Sequence, residues 1–142
     1  FREQLYKEIS RRQPGACIMM NNGFGNGSRY PVDYAWPADL MSMERAVPDS
    51  RRPFNPWREI EGKSYYLPGE CCDTMGREWF GWDHDQPRSD AELLGMYLTT
   101  RARGANLLLN AAPDKTGQIP ERFAQSLLRL RANLNRLDLP ES

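Results

Sequence analysis

Residues 89–137, "SDAELLGMYLTTRARGANLLLNAAPDKTGQIPERFAQSLLRLRANLNRL", constrain the fold more than any other stretch. Ser89 and Glu92 form an S-x-x-E capping box ahead of "LLGMYLTTRAR", which marks a helix start. Gly104 supplies the terminating position. "ANLLLN", residues 105–110, is a short apolar run bounded by asparagines and reads as a strand. Pro120 then opens a last helix where its missing N–H costs nothing. Phe123, Leu127, Leu130, Leu134 and Leu137 recur at alternating spacings of four and three, an amphipathic stripe. A strand between two helices points to an α/β domain with a parallel sheet.

The rest of the chain agrees. Phe1, Leu5 and Ile9 lie four apart on a first helix that Pro14-Gly15 ends. "ACIMM", residues 16–20, reads as a strand buried on both faces. "NNGFGNGS" is a glycine-rich loop, "DLMSME" a short strand and "GECCDTM" another. Between them, Pro31, Pro37, Pro48, Pro53, Pro56 and Pro68 preclude a long helix. Residues 48–68 read as a long, ordered surface excursion, because disordered linkers are poor in aromatics and this region is rich in them. About four strands and three helices leave open sheet edges, as expected of a piece of a larger sheet or barrel. Phe1 opens directly on a helix without an initiator Met, so the chain is read as an internal piece of a longer protein.

Composition narrows the classes of partner. Lys plus Arg is 19 and Asp plus Glu is 19, which gives no reason to expect nucleic acid or an anionic membrane. No apolar run approaches the roughly 18 residues that span a bilayer. Three cysteines, Cys17, Cys71 and Cys72, argue against a complete disulfide framework and read as buried free thiols on strands.

In parallel α/β folds, chemistry gathers beyond the C-terminal ends of strands. Asn21, Asn22 and Gly23 come after the first strand, and Glu44 with Arg45 after the second. Glu70 opens the third, which leads to Trp79, Phe80 and Trp82; Asn110, Pro113 and Asp114 come after "NLLL". Carboxylates, amides and aromatics at one sheet end suit a carbohydrate site, where polar groups meet the ring edge and flat rings meet its C–H faces. Bland alternatives stand beside these. "GFGNG" lacks phosphate-loop spacing and reads as a turn. "DHD", Asp83–Asp85, holds the only histidine, but three consecutive residues rarely converge on one ion, so no metal is expected. Glu59 and Glu61 read as solvated, and a salt bridge to a neighbouring Arg is the default role for Glu44.

"GANLLLNAAPDKTGQIPERF" resembles the last strand, loop and helix of the family 29 glycoside hydrolases, the α-L-fucosidases. "GECCDTMGREWFGW" is similar to their Glu-bearing strand and aromatic-Gly-aromatic loop, and "RSDAELL" to the cap of their penultimate helix. "ACIMMNNG" and "YPVDYAWPADLMSMERAVP" fill the intervening positions in order, so the resemblance covers roughly residues 1–137. It implies that residues 1–142 are the second half of a (β/α)8-like TIM barrel, with the first half elsewhere in the same chain or in a separate one. It implies a retaining, exo-acting α-L-fucosidase acting on fucosylated oligosaccharides or glycoconjugates, with no cofactor. The nucleophile, an Asp at the end of strand four, would precede Phe1. By position Glu44 in "SMERAVP" matches the acid/base, although its flanking residues depart from the family's loop.

Phe80 and Trp82 match the aromatics that pack on the fucose methyl, and Glu70 matches the Glu of the family's Trp-Glu pair, with Gly69 in place of the Trp. Asn21 and Asn22 would hydrogen-bond the sugar where Gly23 replaces the family's Arg, and Trp36 joins this substrate-binding set. Family habit suggests an exported enzyme, secreted or periplasmic. The rival readings are a carbohydrate-binding barrel remnant without hydrolysis, and a divergent enzyme acting on a related sugar such as L-galactose.

Overall fold

The computed structural model describes residues 1–20, 36–47, 55–81 and 83–137. It is a mixed α/β fold of three helices and five strands among the described residues. These are α1 (Arg2–Arg12), β1 (Met41–Glu44), β2 (Trp57–Ile60), β3 (Lys63–Tyr66), β4 (Gly69–Thr74), α2 (Asp90–Ala102), β5 (Ala105–Asn110) and α3 (Glu121–Asn135). β1, β4 and β5 form one sheet in that order. β1 and β4 run parallel, pairing Met41 with Gly69, Ser42 with Glu70, Met43 with Cys71 and Glu44 with Cys72. The chain divides into two compact units, Phe1–Cys72 with Thr100–Leu108, and Asp73–Thr99 with Leu109–Ser142.

In the first unit, Met41 and Leu67 form a core against which Met20, Trp36, Ile60 and Tyr65 pack. β2 and β3 are an antiparallel hairpin whose turn, Glu61-Gly62, has φ of 51° and 73°. Two residues with positive φ match the twist of the flanking strands. The alternation of a hairpin then sorts its side chains. Ile60 and Tyr65 face the core, while Trp57 and Tyr66 meet edge to face on the outside, ring centres 5.3 Å apart. This hairpin occupies part of the expected surface excursion. Its sequence signal is the Glu-Gly pair between two short runs rich in β-forming residues.

Two expectations for this unit need correction. The predicted strand at residues 16–20 is reduced to one parallel bridge, Met19 to Leu40, although Ile18 is buried. Cys17 is exposed and lies outside any strand, whereas Cys71 is buried and Cys72 half-buried, both on β4. The first helix forms as expected, but none of its residues is buried, and Phe1 is 92% exposed. Its tether is polar instead. Tyr6 donates its hydroxyl proton to Asp39 Oδ1 at 2.5 Å, and Asp39 Oδ2 accepts the Ile18 N–H at 2.7 Å. That bond favours the neutral phenol, and with burial it pushes Tyr6 up to about 12.

The second unit closes around Met75, Leu93, Phe123 and Leu130, with Leu94, Leu127 and Leu134 packed on them. The stripe read from α3 is thus its buried face, except that Leu137 lies past the helix end and is 40% exposed. The capping box forms as read. Glu92 Oε2 accepts the Ser89 N–H at 2.9 Å, and the Glu92 N–H donates to Ser89 Oγ at 3.3 Å. Pro120 sits at the N-cap of α3, one residue before the helix proper. No helix among the described residues is long and apolar enough to cross a membrane.

Candidate functional site

Glu44 is the last residue of β1 and half-buried. Side chains alternate along a strand and align across a parallel pair. Glu44 therefore shares a face with Ser42 and with its β4 neighbours Cys72 and Glu70. Met41 and Met43, on the opposite face, are 2% and 0% exposed and anchor the strand. Arg45 then takes φ of +49°. A non-glycine residue in the left-handed region is uncommon and costs on the order of 1–2 kcal/mol. It is held there by its N–H, which donates to the Cys72 carbonyl at 2.8 Å. The chain thus bends just after Glu44 while the backbone up to Arg45 stays paired with β4.

Glu70 lies one pleat period back along β4 from Cys72, on the Glu44 face. Its Oε2 accepts a hydrogen bond from Asn106 Nδ2 on β5 at 2.8 Å. Ser42, paired in register with Glu70, is 3% exposed. Ser42, Glu70 and Asn106 thus make a polar row across three strands, next to the level of Glu44. Asn106 carries no signal in the sequence beyond bounding an apolar run, because its partner lies 36 residues away. On the other side of the sheet order, Trp36 belongs to the Met41–Leu67 cluster, its ring 4.5 Å from Tyr65 in an edge-on contact. Asn21 and Asn22 lie outside the described residues.

The second unit holds the aromatic loop after β4. Phe80 is 81% exposed, a ring open to a flat apolar partner. Trp82 lies outside the described residues. The loop is fixed from several sides. Asn110 Nδ2 donates to the Trp79 carbonyl at 2.9 Å, and the Asn110 carbonyl accepts the Met75 N–H at 3.0 Å. Asp85 accepts the N–H groups of Arg77 and Glu78 at 3.0 and 3.4 Å. Arg122 on α3 donates Nε to the Asp85 carbonyl at 2.8 Å and Nη2 to the Asp83 carbonyl at 3.3 Å.

Asp114 folds the "PDKTG" loop on itself. Its Oδ1 accepts the Thr116 hydroxyl at 2.6 Å and the N–H groups of Thr116 and Gln118 at 2.8 and 3.1 Å. The Thr116 hydroxyl, then these amides, hold the Asp114 carboxyl below its ordinary range. Asp83, Asp85, Asp114 and Arg122 line a cleft beside Gly81. The carboxylates of Asp85 and Asp114 are spent on backbone amides there, which gives them structural work in shaping loops.

Comparison with known proteins settles the family. The family profile described as Alpha-L-fucosidase matches residues 2–137. The chain belongs to the α-L-fucosidase family. Similar solved structures include α-L-fucosidase isoenzyme 1 from Paenibacillus thiaminolyticus, at 26% identity and a TM-score of 0.67, over 93% of this chain and 30% of that one. The α-L-fucosidase AlfC from Lactobacillus casei, in complex with α-L-fucose product, is 22% identical with a TM-score of 0.63, over 96% of this chain and 36% of that one. A D200A form of AlfC in complex with Fuca(1,6)GlcNAc matches at 23% identity and a TM-score of 0.60, over 96% of this chain and 35% of that one. The chain therefore spans about a third of the length of these fucosidases. No curated protein matches by sequence.

Proposed function

We propose that this chain is the second half of the (β/α)8-like catalytic barrel of a retaining, exo-acting α-L-fucosidase, with Glu44 as its acid/base. One observation carries the reading: in a chain of this family, Glu44 stands half-buried at the C-terminal end of a parallel strand, with the backbone turned at Arg45. That is the end of a parallel α/β sheet where reacting groups sit. The substrate is a glycan ending in α-L-fucose, as the fucose-containing complexes of the AlfC relatives suggest. Within the unit that holds Glu44, Glu70 offers the sugar a hydrogen-bond acceptor.

The reaction is a double displacement. A carboxylate from the other half of the barrel attacks the anomeric carbon, and the bond to the glycosidic oxygen breaks. Glu44 gives its proton to that oxygen, so the leaving glycan departs as an alcohol. Glu44, now a carboxylate, then takes a proton from water, which displaces the enzyme carboxylate and releases fucose. The two carboxyl groups of a retaining pair stand about 5–5.5 Å apart. Side-chain carboxylates suffice for every step, so no cofactor is invoked.

The test uses the intact protein. Glu44→Ala should slow release of fucose from natural glycans far more than from an aryl fucoside whose leaving group needs no proton. Azide should restore part of the activity by taking the place of the activated water. Equal losses on both substrates without rescue would remove Glu44 from the acid/base role. A protein that binds fucosylated glycans without hydrolysing them would favour the binding-module reading. Faster release of L-galactose than of L-fucose would favour the divergent enzyme.

A further inference from the structure

Glu44 ends β1, and its partner in register on β4 is Cys72. The pairing is locked at this level, since the Arg45 N–H donates to the Cys72 carbonyl at 2.8 Å. Residues in register on neighbouring parallel strands point to the same face, with the strands about 4.8 Å apart. The Cys72 side chain therefore stands beside that of Glu44, and both residues are half-buried. Both belong to the same compact unit. Cys71, one residue back, points to the opposite face and is 3% exposed. On the Glu44 face, the titratable groups of β1 and β4 are Glu44, Cys72 and Glu70, and Glu70 lies about 7 Å further back along its strand. β5 carries no titratable residue, and Arg45 follows Glu44 in the chain.

An acid/base must hold a proton in one step and be free of it in the next. Its nearest neighbour can upset that exchange. A cation or a strong hydrogen-bond donor favours the carboxylate, and an anion favours the acid. A thiol is only a weak donor and a weak acceptor. It fills the space beside the carboxyl and leaves both protonation states open. We infer that Cys72 is a positioning residue for the reaction, the small, weakly bonding neighbour that holds the Glu44 carboxyl in place without favouring its acid or its ionised form. This inference rests on the reading of Glu44 as acid/base, and Cys72 acts only through Glu44.

The experiment compares Cys72→Asp, Cys72→Asn and Cys72→Ser with wild type in the intact protein. The readouts are kcat/KM across pH on a natural fucosylated glycan and on an aryl α-L-fucoside whose leaving group needs no proton, together with urea unfolding. On the glycan, kcat/KM falls as pH rises and Glu44 loses its proton. Cys72→Asp sets a like charge beside Glu44, which keeps the proton on, so this fall should move up by about one pH unit. Cys72→Asn has nearly the same shape but donates to the carboxylate, so the fall should move down by about one pH unit, the worth of a hydrogen bond to a charged group. Cys72→Ser, the least disruptive change, should move it down by less. On the aryl fucoside none of the three should move it, because the first step there needs no acid. Cys71→Ala, on the opposite face of the same strand, should lower the unfolding free energy and leave the pH profile unmoved.

Cys72 variants that change stability but keep the wild-type pH profile on the glycan overturn the inference. So do shifts of equal size on both substrates, or a shift in Cys71→Ala, since displacement of the strand would then explain them. If Cys72→Asp and Cys72→Asn fail to fold, Cys72→Ser decides alone, and an unmoved profile overturns the inference. Glu44→Ala separates the two readings. If it removes the fall of kcat/KM on the glycan while the Cys72 variants leave that fall in place, the Cys72 inference fails and the acid/base reading stands. If Glu44→Ala leaves the fall unchanged, or wild type hydrolyses neither substrate, both are overturned.

Discussion

Gly81 gives the sharpest link between local packing and the aromatic loop. A Cβ built on it would lie 1.9 Å from the Pro113 carbonyl oxygen and 3.0 Å from its carbon. Real Cβ atoms essentially never approach closer than 3.0 Å, so Gly81→Ala requires a shift of at least about 1 Å. The obstacle is backbone and cannot rotate aside. The loop carrying Phe80 must therefore move away from the Pro113–Asp114 turn, straining the Asn110 bond to the Trp79 carbonyl. Overpacking of this kind costs about 1–3 kcal/mol, and loss of the Asn110 bond adds about 1 kcal/mol. A misplacement of about 1 Å in a substrate-positioning group can cost on the order of a hundredfold in rate. In the intact protein, urea unfolding should show the stability loss, and kcat/KM for an aryl α-L-fucoside should fall by roughly ten- to a hundredfold. Asn110→Ala, which removes the tether without the clash, should show the smaller stability loss alone. Wild-type stability and kcat/KM in Gly81→Ala would refute the claim that contact with Pro113 sets the position of this loop.

Other perturbations test the scaffold. Met43 is fully buried beneath Glu44, so Met43→Ala should lower the unfolding free energy by about 2–5 kcal/mol in urea melts. Ser126 on α3 is fully buried and its Oγ has no hydrogen-bond partner among the described residues, so Ser126→Ala should leave stability unchanged or raise it, by up to about 1 kcal/mol. Tyr6 is pushed up to about 12 by its bond to Asp39, so its folded value lies above its unfolded value near 10. Its contribution to stability is therefore complete below pH 10 and fades as pH rises through about 12, a dependence that Tyr6→Phe should abolish in alkaline unfolding curves. Glu92 is held below its ordinary range by the Ser89 hydroxyl and then by the Ser89 amide. The capping box should therefore stabilise above pH 4.5 and weaken as pH falls below it; acid unfolding of Ser89→Ala, compared with wild type, measures the difference.

Much of the fold is legible in the sequence because local signals and tertiary packing agree. The capping box at Ser89, the stop at Gly104 and the leucine stripe of α3 each specify a helix and its buried face without help from distant residues. β1, β4 and β5 are marked by short apolar runs between turns. Elsewhere a competing term decides. "ACIMM" has the composition of a buried strand, but pairing needs a neighbour in register, and only Met19 finds one. The first helix has its stripe, yet Phe1 and Leu5 remain exposed, because periodicity reports which face could be buried and not whether anything covers it. The hairpin at residues 57–66 is masked by surrounding prolines, although Glu61-Gly62 carries its turn.

The candidate site is legible in a different sense. Glu44 stands out in the sequence as the carboxylate that closes an apolar strand, and the structure adds why that carboxylate can be fixed. Two buried methionines hold the strand from behind, and Arg45 accepts an unfavourable backbone angle to keep its bond to Cys72. Neither fact has a signature in the residues themselves, since arginine is a poor predictor of a positive φ. Relieving that angle should therefore separate stability from positioning. Arg45→Gly adopts the same φ without strain, but it frees the chain beyond Glu44 to sample other conformations. The gain in the folded state and the added entropy of the unfolded state are of similar size, about 1 kcal/mol each, so unfolding in urea should change little. The orientation of Glu44 should nonetheless loosen, lowering kcat on natural fucosides more than on aryl fucosides that need no acid. A variant with unchanged kcat on both would mean that the bond from residue 45 to the Cys72 carbonyl alone fixes Glu44, and that the arginine is incidental to it.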